Sequence, residues 1–377
     1  MNLSGTDRIH AFDALRAAAL LLGVVFHSML NYVLPGGAWA VGTAEPVPLV
    51  VWLSSYLHSF RLDIFFLIAG FFGALVTSRR GVRQYLRDRT IRVLLVFVVL
   101  LMPMKYLLMS LWLIGGAKTG WLPPEVAALS PWTLALRRAA NNWTELTHLW
   151  FLLYLMVIIV IFVSLRWAVG RWFSPVVMEA ANRWLHRLMA SWFLPFVLAV
   201  ALTPLIVWAG DEPSLLRYGL FFAIGWWLKG HAELLPLFAQ RGLVLVVLGV
   251  LATGVVRWGQ LPDWAASYVR ALITTASVVG WTGVFARYLD RPSAPIRYVA
   301  DASYWIYIMH APVVVTMQIW WSDWLLPWWL EIPLINVFTL SVLLLVYGWA
   351  VRPTWIGAWL NGRRHPSFDA MVAAGTR

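Results

Sequence analysis

The chain has 377 residues, 61% hydrophobic and 12% charged, with a formal net charge of +12 and a mean hydropathy of +0.73. Soluble domains carry about 25% charged residues, so composition excludes a water-soluble fold and points to lipid as the solvent. There is no Cys, which excludes disulfides, thiolate metal sites and a cysteine nucleophile, and the positive balance reads as orienting loop charge, with no nucleic-acid partner expected.

Apolar runs at about 12–34, 48–77, 93–113, 146–168, 190–209, 214–230, 242–257, 265–287, 298–321 and 332–351 predict an all-α polytopic membrane helix bundle. It has about ten transmembrane helices in a single integral-membrane domain, 1–377. The first run is longer than a signal-peptide core and no small-residue cleavage site follows it, so it is expected to be retained. Trp121, Trp132, Trp143, Trp324, Trp328 and Trp329 lie near run ends, where aromatic belts meet lipid headgroups. With a cytoplasmic N-terminus, Lys118, Arg137, Arg138 and Arg257 fall in outer loops, and Arg16, Arg61, Lys105, Arg217 and Arg270 fall inside runs. The other twenty of the 29 basic residues face inward. The positive-inside rule then places both termini, with a tail at about 352–377, in the cytoplasm. The outer stretch at roughly 114–145 holds Pro123, Pro124 and Pro131 and is expected to pack over an entrance.

Ionisable residues within lipid mark function or pairing. The first run holds Asp13, Arg16 and His27; the eleven-residue step from Arg16 to His27 is close to three helical turns, a rise of about 16 Å on one face. The second run carries His58 and Arg61, three apart on one face, with Asp63 beyond as a neighbour able to neutralise an Arg. The fourth opens on His148 and Trp150, and in the ninth Ser303, Tyr307 and His310 share a face. Four histidines, 27, 58, 148 and 310, are therefore expected to converge in the outer half of the membrane. Neutral imidazole is the natural general base near pH 7, and Arg61 can hold an anionic acyl end or an oxyanion. No Asp or Glu completes a recognisable metal motif, so no metal is expected. The inner stretch 79–92 holds Arg79, Arg80, Arg83, Arg87, Arg89 and Arg92; planar guanidinium groups suit phosphates, and they also anchor on anionic lipid. A proton-coupled transporter would use buried His and Arg too, but neither an inverted repeat nor paired broken helices are evident.

These residues resemble acyltransferase family 3, membrane acyltransferases that modify extracytoplasmic glycans. The resemblance rests on Phe12-Asp13-Ala14-Leu15-Arg16 followed by His27, Phe65 to Phe72, Arg89-Thr90-Ile91-Arg92, His148 to Leu153, and Ala302 to His310, in that order. Ala69 stands where the family often has Ser, and the Pro usual after the Arg pair is replaced by Val93-Leu94-Leu95-Val96. Ala44-Glu45-Pro46, His58-Ser59-Phe60-Arg61 and the His148 run are most like the subgroup that succinylates osmoregulated periplasmic glucans. The resemblance implies a multi-pass protein of the bacterial inner membrane. It would move an acyl group, succinyl in that subgroup, from cytoplasmic acyl-CoA to glucan hydroxyls, with no permanently bound cofactor. Acetylation of another surface polysaccharide is the same chemistry. It further implies His27 as catalytic base, Arg16 as support near the donor channel, and His58, Arg61 and His310 in the catalytic group. Arg89 and Arg92, with Arg83, would contact acyl-CoA, and His148, Trp150, Glu45, Tyr307 and Ser303 would contact the acceptor.

Overall fold

The computed structural model describes residues 9–142, 145–209, 213–324 and 326–362. Among them run α1 (His10–Met29), α2 (Pro48–Arg89), α3 (Leu95–Thr119), α4 (Pro124–Ala127), α5 (Pro131–Asn141), α6 (Trp150–Trp172) and α7 (Pro175–Ala190). The chain continues through α8 (Leu194–Ala209), α9 (Leu215–Leu228), α10 (Leu235–Trp258), α11 (Asp263–Tyr288), α12 (Ala294–Trp321), α13 (Trp328–Val346) and α14 (Trp355–Asn361). The described residues hold no β-strand, only an isolated bridge between Gly36 and Trp39. Trp143, Arg8, Arg363, Arg364 and Arg377, used above for belts and orientation, lie outside the described residues.

Each of the ten apolar runs falls largely on a helix. Six continuous helical stretches are long and apolar enough to cross a membrane, or seven if α7 and α8, bent by 111°, form one span. The protein is thus a multi-pass membrane protein. The count differs from ten for two physical reasons. The stretches Pro48–Thr119 and Leu215–Trp258, of 72 and 44 residues, each join two expected runs without a helical break. In addition α12, which carries Arg297, Asp301, His310 and Gln318, is not apolar enough to qualify.

The joining at residues 78–94 has a local cause. Arg, Leu and Gln are good helix formers, so α2 continues through the arginine-rich segment expected as a loop. It is interrupted at Gly81 (φ 80°) and followed by a π-helical turn, Thr90–Leu94, that leads into α3. The segment before α8, read as an inner loop, instead forms the amphipathic α7, whose N-cap Ser174 accepts the Val177 N–H.

The described residues group into two compact units. One draws on Met1–Ala19, Ser55–Tyr85 and Tyr154–Arg297, the other on Leu20–Ser54, Leu86–Leu153 and Tyr298–Arg377. In the first unit, α2 and α9 approach backbone to backbone. A Cβ at Gly70 would strike the Phe222 carbonyl, and one at Gly225 the Leu67 carbonyl; small residues permit this in lipid, where packing replaces the hydrophobic drive. The same helices are joined by a buried ion pair: Arg217 donates from Nε and Nη2 to the two oxygens of Asp63 at 2.8 and 2.6 Å. In the second unit, Leu30, Trp39, Ala40, Leu108, Leu111, Ala311, Val315 and Ile319 pack the end of α1, the loop after it, α3 and α12 into one core.

Candidate active site

The second unit encloses a cavity of about 530 Å³ beside that core. Its floor is set by the loop between α1 and α2. Trp39 N–H bonds the Pro35 carbonyl at 3.1 Å, and Gly37, at φ 93°, supplies the left-handed residue this tight fold needs. The loop thereby buries the Trp39 indole, whose Nε1–H donates to Gln318 Oε1 at 2.8 Å. Gln318 Nε2 in turn donates to the carbonyls of His27 and Ser28 at 3.4 and 3.3 Å. One amide thus ties the loop, the last turn of α1 and α12 together. Trp112, Trp121 and Trp150 complete an aromatic wall with Trp39.

Three histidines meet here. His27 and His148 line the cavity, and the buried His310 lies behind them, its ring centroid 5.0 Å from that of His27 and 5.5 Å from that of His148. Their tautomers follow from what they touch, because a carbonyl only accepts. His310 Nδ1 donates to the Tyr307 carbonyl at 2.7 Å, leaving the lone pair on Nε2. His148 Nε2 donates to the Ile308 carbonyl at 3.0 Å. That carbonyl is available because its α-helical donor would be residue 312, which is Pro. The proton on Nε2 leaves His148 Nδ1 as an acceptor, with no hydrogen-bond partner among the described residues. Among the described residues no three His, Asp or Glu side chains are placed to hold a metal ion.

The other expected site residues fall as follows. Trp150 lines the cavity. Tyr307 donates its hydroxyl to the His148 carbonyl at 2.7 Å, so it orients that histidine, while Ser303 is buried with its hydroxyl on the Ala300 carbonyl at 2.7 Å. Glu45 is exposed in the loop, its N–H bonded to Thr43 Oγ1. In the first unit, Arg16 is paired to Asp13 at 3.7 Å and lies over the Phe72 ring. His58 there is exposed and Arg61 buried. Asp63, expected as a partner for Arg61, is engaged by Arg217. The cavity also has walls that sequence reading left out: Lys105 of α3, and Arg138 and Glu145. Lys105 did carry a signal, since it is a lone basic residue inside an apolar run.

Arg89 and Arg92 flank the π-helical turn at the start of α3 in the second unit; Arg83, in the first unit, is exposed. A π turn breaks the regular rungs of the ladder and is a frequent functional feature. Two side chains donate to its carbonyls: Tyr304 to Arg92 O at 2.6 Å and Trp359 Nε1–H to Ile91 O at 2.8 Å. The structure therefore fixes the backbone from which the Arg pair projects, where the resemblance had led one to expect a proline.

Apolar spans and an aromatic cavity bearing paired imidazoles define a multi-pass membrane protein with groups suited to proton transfer. The model of the acyltransferase domain for acyltransferase family 3 matches residues 9–348, and the chain belongs to that family. It is therefore a membrane acyltransferase, which removes the transporter alternative. The chain is 26% identical over 335 residues to glucans biosynthesis protein C of Salmonella heidelberg (strain SL476), covering 82% of this chain and 83% of that protein. The same figures hold for the proteins of that name from Salmonella agona (strain SL483) and Salmonella paratyphi B. No solved structure matches the chain.

Proposed function

We propose that this acyltransferase moves a succinyl group from cytoplasmic acyl-CoA to hydroxyls of periplasmic glucans. It sits in the bacterial inner membrane, surrounded by lipid, with ten spans and both termini cytoplasmic, and residues 1–377 work as one catalytic domain. The observation that carries the reading is His27 and His148 on one aromatic cavity wall, backed by His310. Flat indole faces suit the apolar faces of sugar rings, and the relatives' name refers to glucans. In this reading His148 Nδ1 accepts a hydrogen bond from the acceptor hydroxyl and orients it. His27 takes the hydroxyl proton as the oxygen attacks the thioester carbonyl. Collapse of the tetrahedral intermediate forms the ester and expels the thiolate, which takes the proton back from His27. Arg16 supports the donor path, and Tyr307 positions His148.

The test is transfer from labelled succinyl-CoA or acetyl-CoA in proteoliposomes, with and without glucan. Glucan-dependent transfer that prefers succinyl is expected; transfer that prefers acetyl overturns the succinyl assignment, and transfer indifferent to glucan overturns the acceptor. Donor recognition is assigned to Arg89 and Arg92, with Arg83 contributing from the same segment, because guanidinium groups match phosphates. Arg89→Ala and Arg92→Ala should each weaken acyl-CoA affinity by about ten- to a hundredfold, as loss of a charge-assisted bond does. Tyr304→Phe should weaken it less, through the loosened turn. Unchanged affinity in both Arg variants would leave them as topological anchors alone.

A further inference from the structure

Lys105 is buried, with 1% of its surface exposed, and it lines the same cavity as His27 and His148. Among the described residues nothing is hydrogen-bonded or ion-paired to it. Its place in α3 rules out relief at the membrane surface. Ten residues, about 15 Å, separate it from the first residue of α3, and fourteen, about 21 Å, from the last. Lysines that reach for headgroups do so from helix ends. The contrast within the unit is Lys118, in the last turn of α3, which donates to the Ile319 carbonyl and pairs with Asp323, both at 2.7 Å. The acid on the cavity wall, Glu145, is exposed and accepts from Asn142 at 3.1 Å. A buried ammonium without a counter-charge is costly, so its anion must arrive with the substrate. The histidines of the cavity, as their hydrogen bonds set them, present lone pairs and not charge.

We propose that Lys105 is the specificity-determining residue of the cavity and binds the terminal carboxylate of a dicarboxylic acyl group. The inference rests on the acyl-transfer reading above and moves to Lys105 the carboxylate role first expected of Arg61. An ammonium that only stabilised the oxyanion would serve every acyl group alike; one that holds a distal carboxylate separates succinyl from acetyl.

The experiment is the ratio of succinyl to acetyl transfer in wild type, Lys105→Met, Lys105→Gln and Arg61→Gln, together with the Tm of each. Loss of a charge-assisted bond should lower the ratio by about ten- to a hundredfold in both Lys105 variants, with acetyl transfer falling by less. Lys105→Met should not lower Tm, because it removes an uncompensated buried charge. An equal fall for both donors, or a ratio that falls only in Arg61→Gln, overturns the inference. So does a Tm drop that leaves both Lys105 variants unfolded, since it would show a structural partner. A wild type that prefers acetyl-CoA rejects the succinyl reading itself, whereas a wild type that prefers succinyl with an unchanged ratio in the variants rejects Lys105 alone.

Discussion

His27→Ala is expected to lower acyl transfer by about 10²–10⁴-fold, the usual cost of losing a general base, in protein that still folds and inserts. The fold should survive because the contacts that fix the end of α1 run to its backbone. Gln318 bonds the carbonyls of His27 and Ser28, and Glu331 accepts from Asn31 and Tyr32 just beyond. None of these uses the imidazole. What the substitution removes is the ring on the cavity wall, 5.0 Å from His310 and 5.5 Å from Trp39 between ring centroids. Single-turnover transfer of labelled acyl-CoA in proteoliposomes, run beside thermal unfolding, separates the two effects. Near-normal turnover in a well-folded variant would reject His27 as the base, and His148→Ala in the same assay would show whether the base role falls to its neighbour.

The largest effect on stability is expected at the Asp63–Arg217 pair. Asp63 is fully buried, and Arg217 serves it bidentately while also donating to the Ser59 carbonyl at 3.2 Å. Removing one partner of a buried pair leaves an uncompensated charge and costs about 3–5 kcal/mol, whereas replacing both by apolar groups is often neutral. Arg217→Met and Asp63→Leu should therefore each lose most of the folded protein in detergent, and the double variant should recover much of it. Thermal unfolding of the four proteins reads the cycle. Single variants as stable as wild type would show that the pair does not hold α2 to α9.

The helices were legible because their cause is local: each apolar run is a helix, as lipid demands of backbone polar groups. The arginine-rich segment was not, because charge suggested a loop while helix propensity decided the outcome. His27, His148 and His310 could be singled out because an ionisable group inside an apolar run is costly in lipid and persists where it pairs or acts. His58 and Arg61 have the same spacing logic, yet they belong to the other unit, and periodicity along one helix says nothing about which neighbours it meets. The Asp63–Arg217 pair spans 154 residues of sequence, so nearby Arg61 was the natural and mistaken candidate. Trp39 was invisible for a different reason: its burial depends on a loop fold set by Gly37, not on any helical repeat.

The π-helical turn at Thr90–Leu94 has one further consequence, for how the gene can change length. A π turn is in effect one residue too many for the α-helical ladder, and it lets the segments on either side keep separate angular settings. Arg89 and Arg92 lie at that turn, and Lys105 lies thirteen residues past Arg92 in α3. Deleting a single residue within 90–94 would restore regular α geometry and swing everything downstream by roughly 100° about the helix axis. Lys105 and Trp112 would turn off the cavity wall while the apolar composition of the span stayed almost the same. A one-codon deletion here is thus predicted to pass every test of membrane insertion and still dismantle the site, whereas a conservative substitution at the same positions leaves that angular setting untouched.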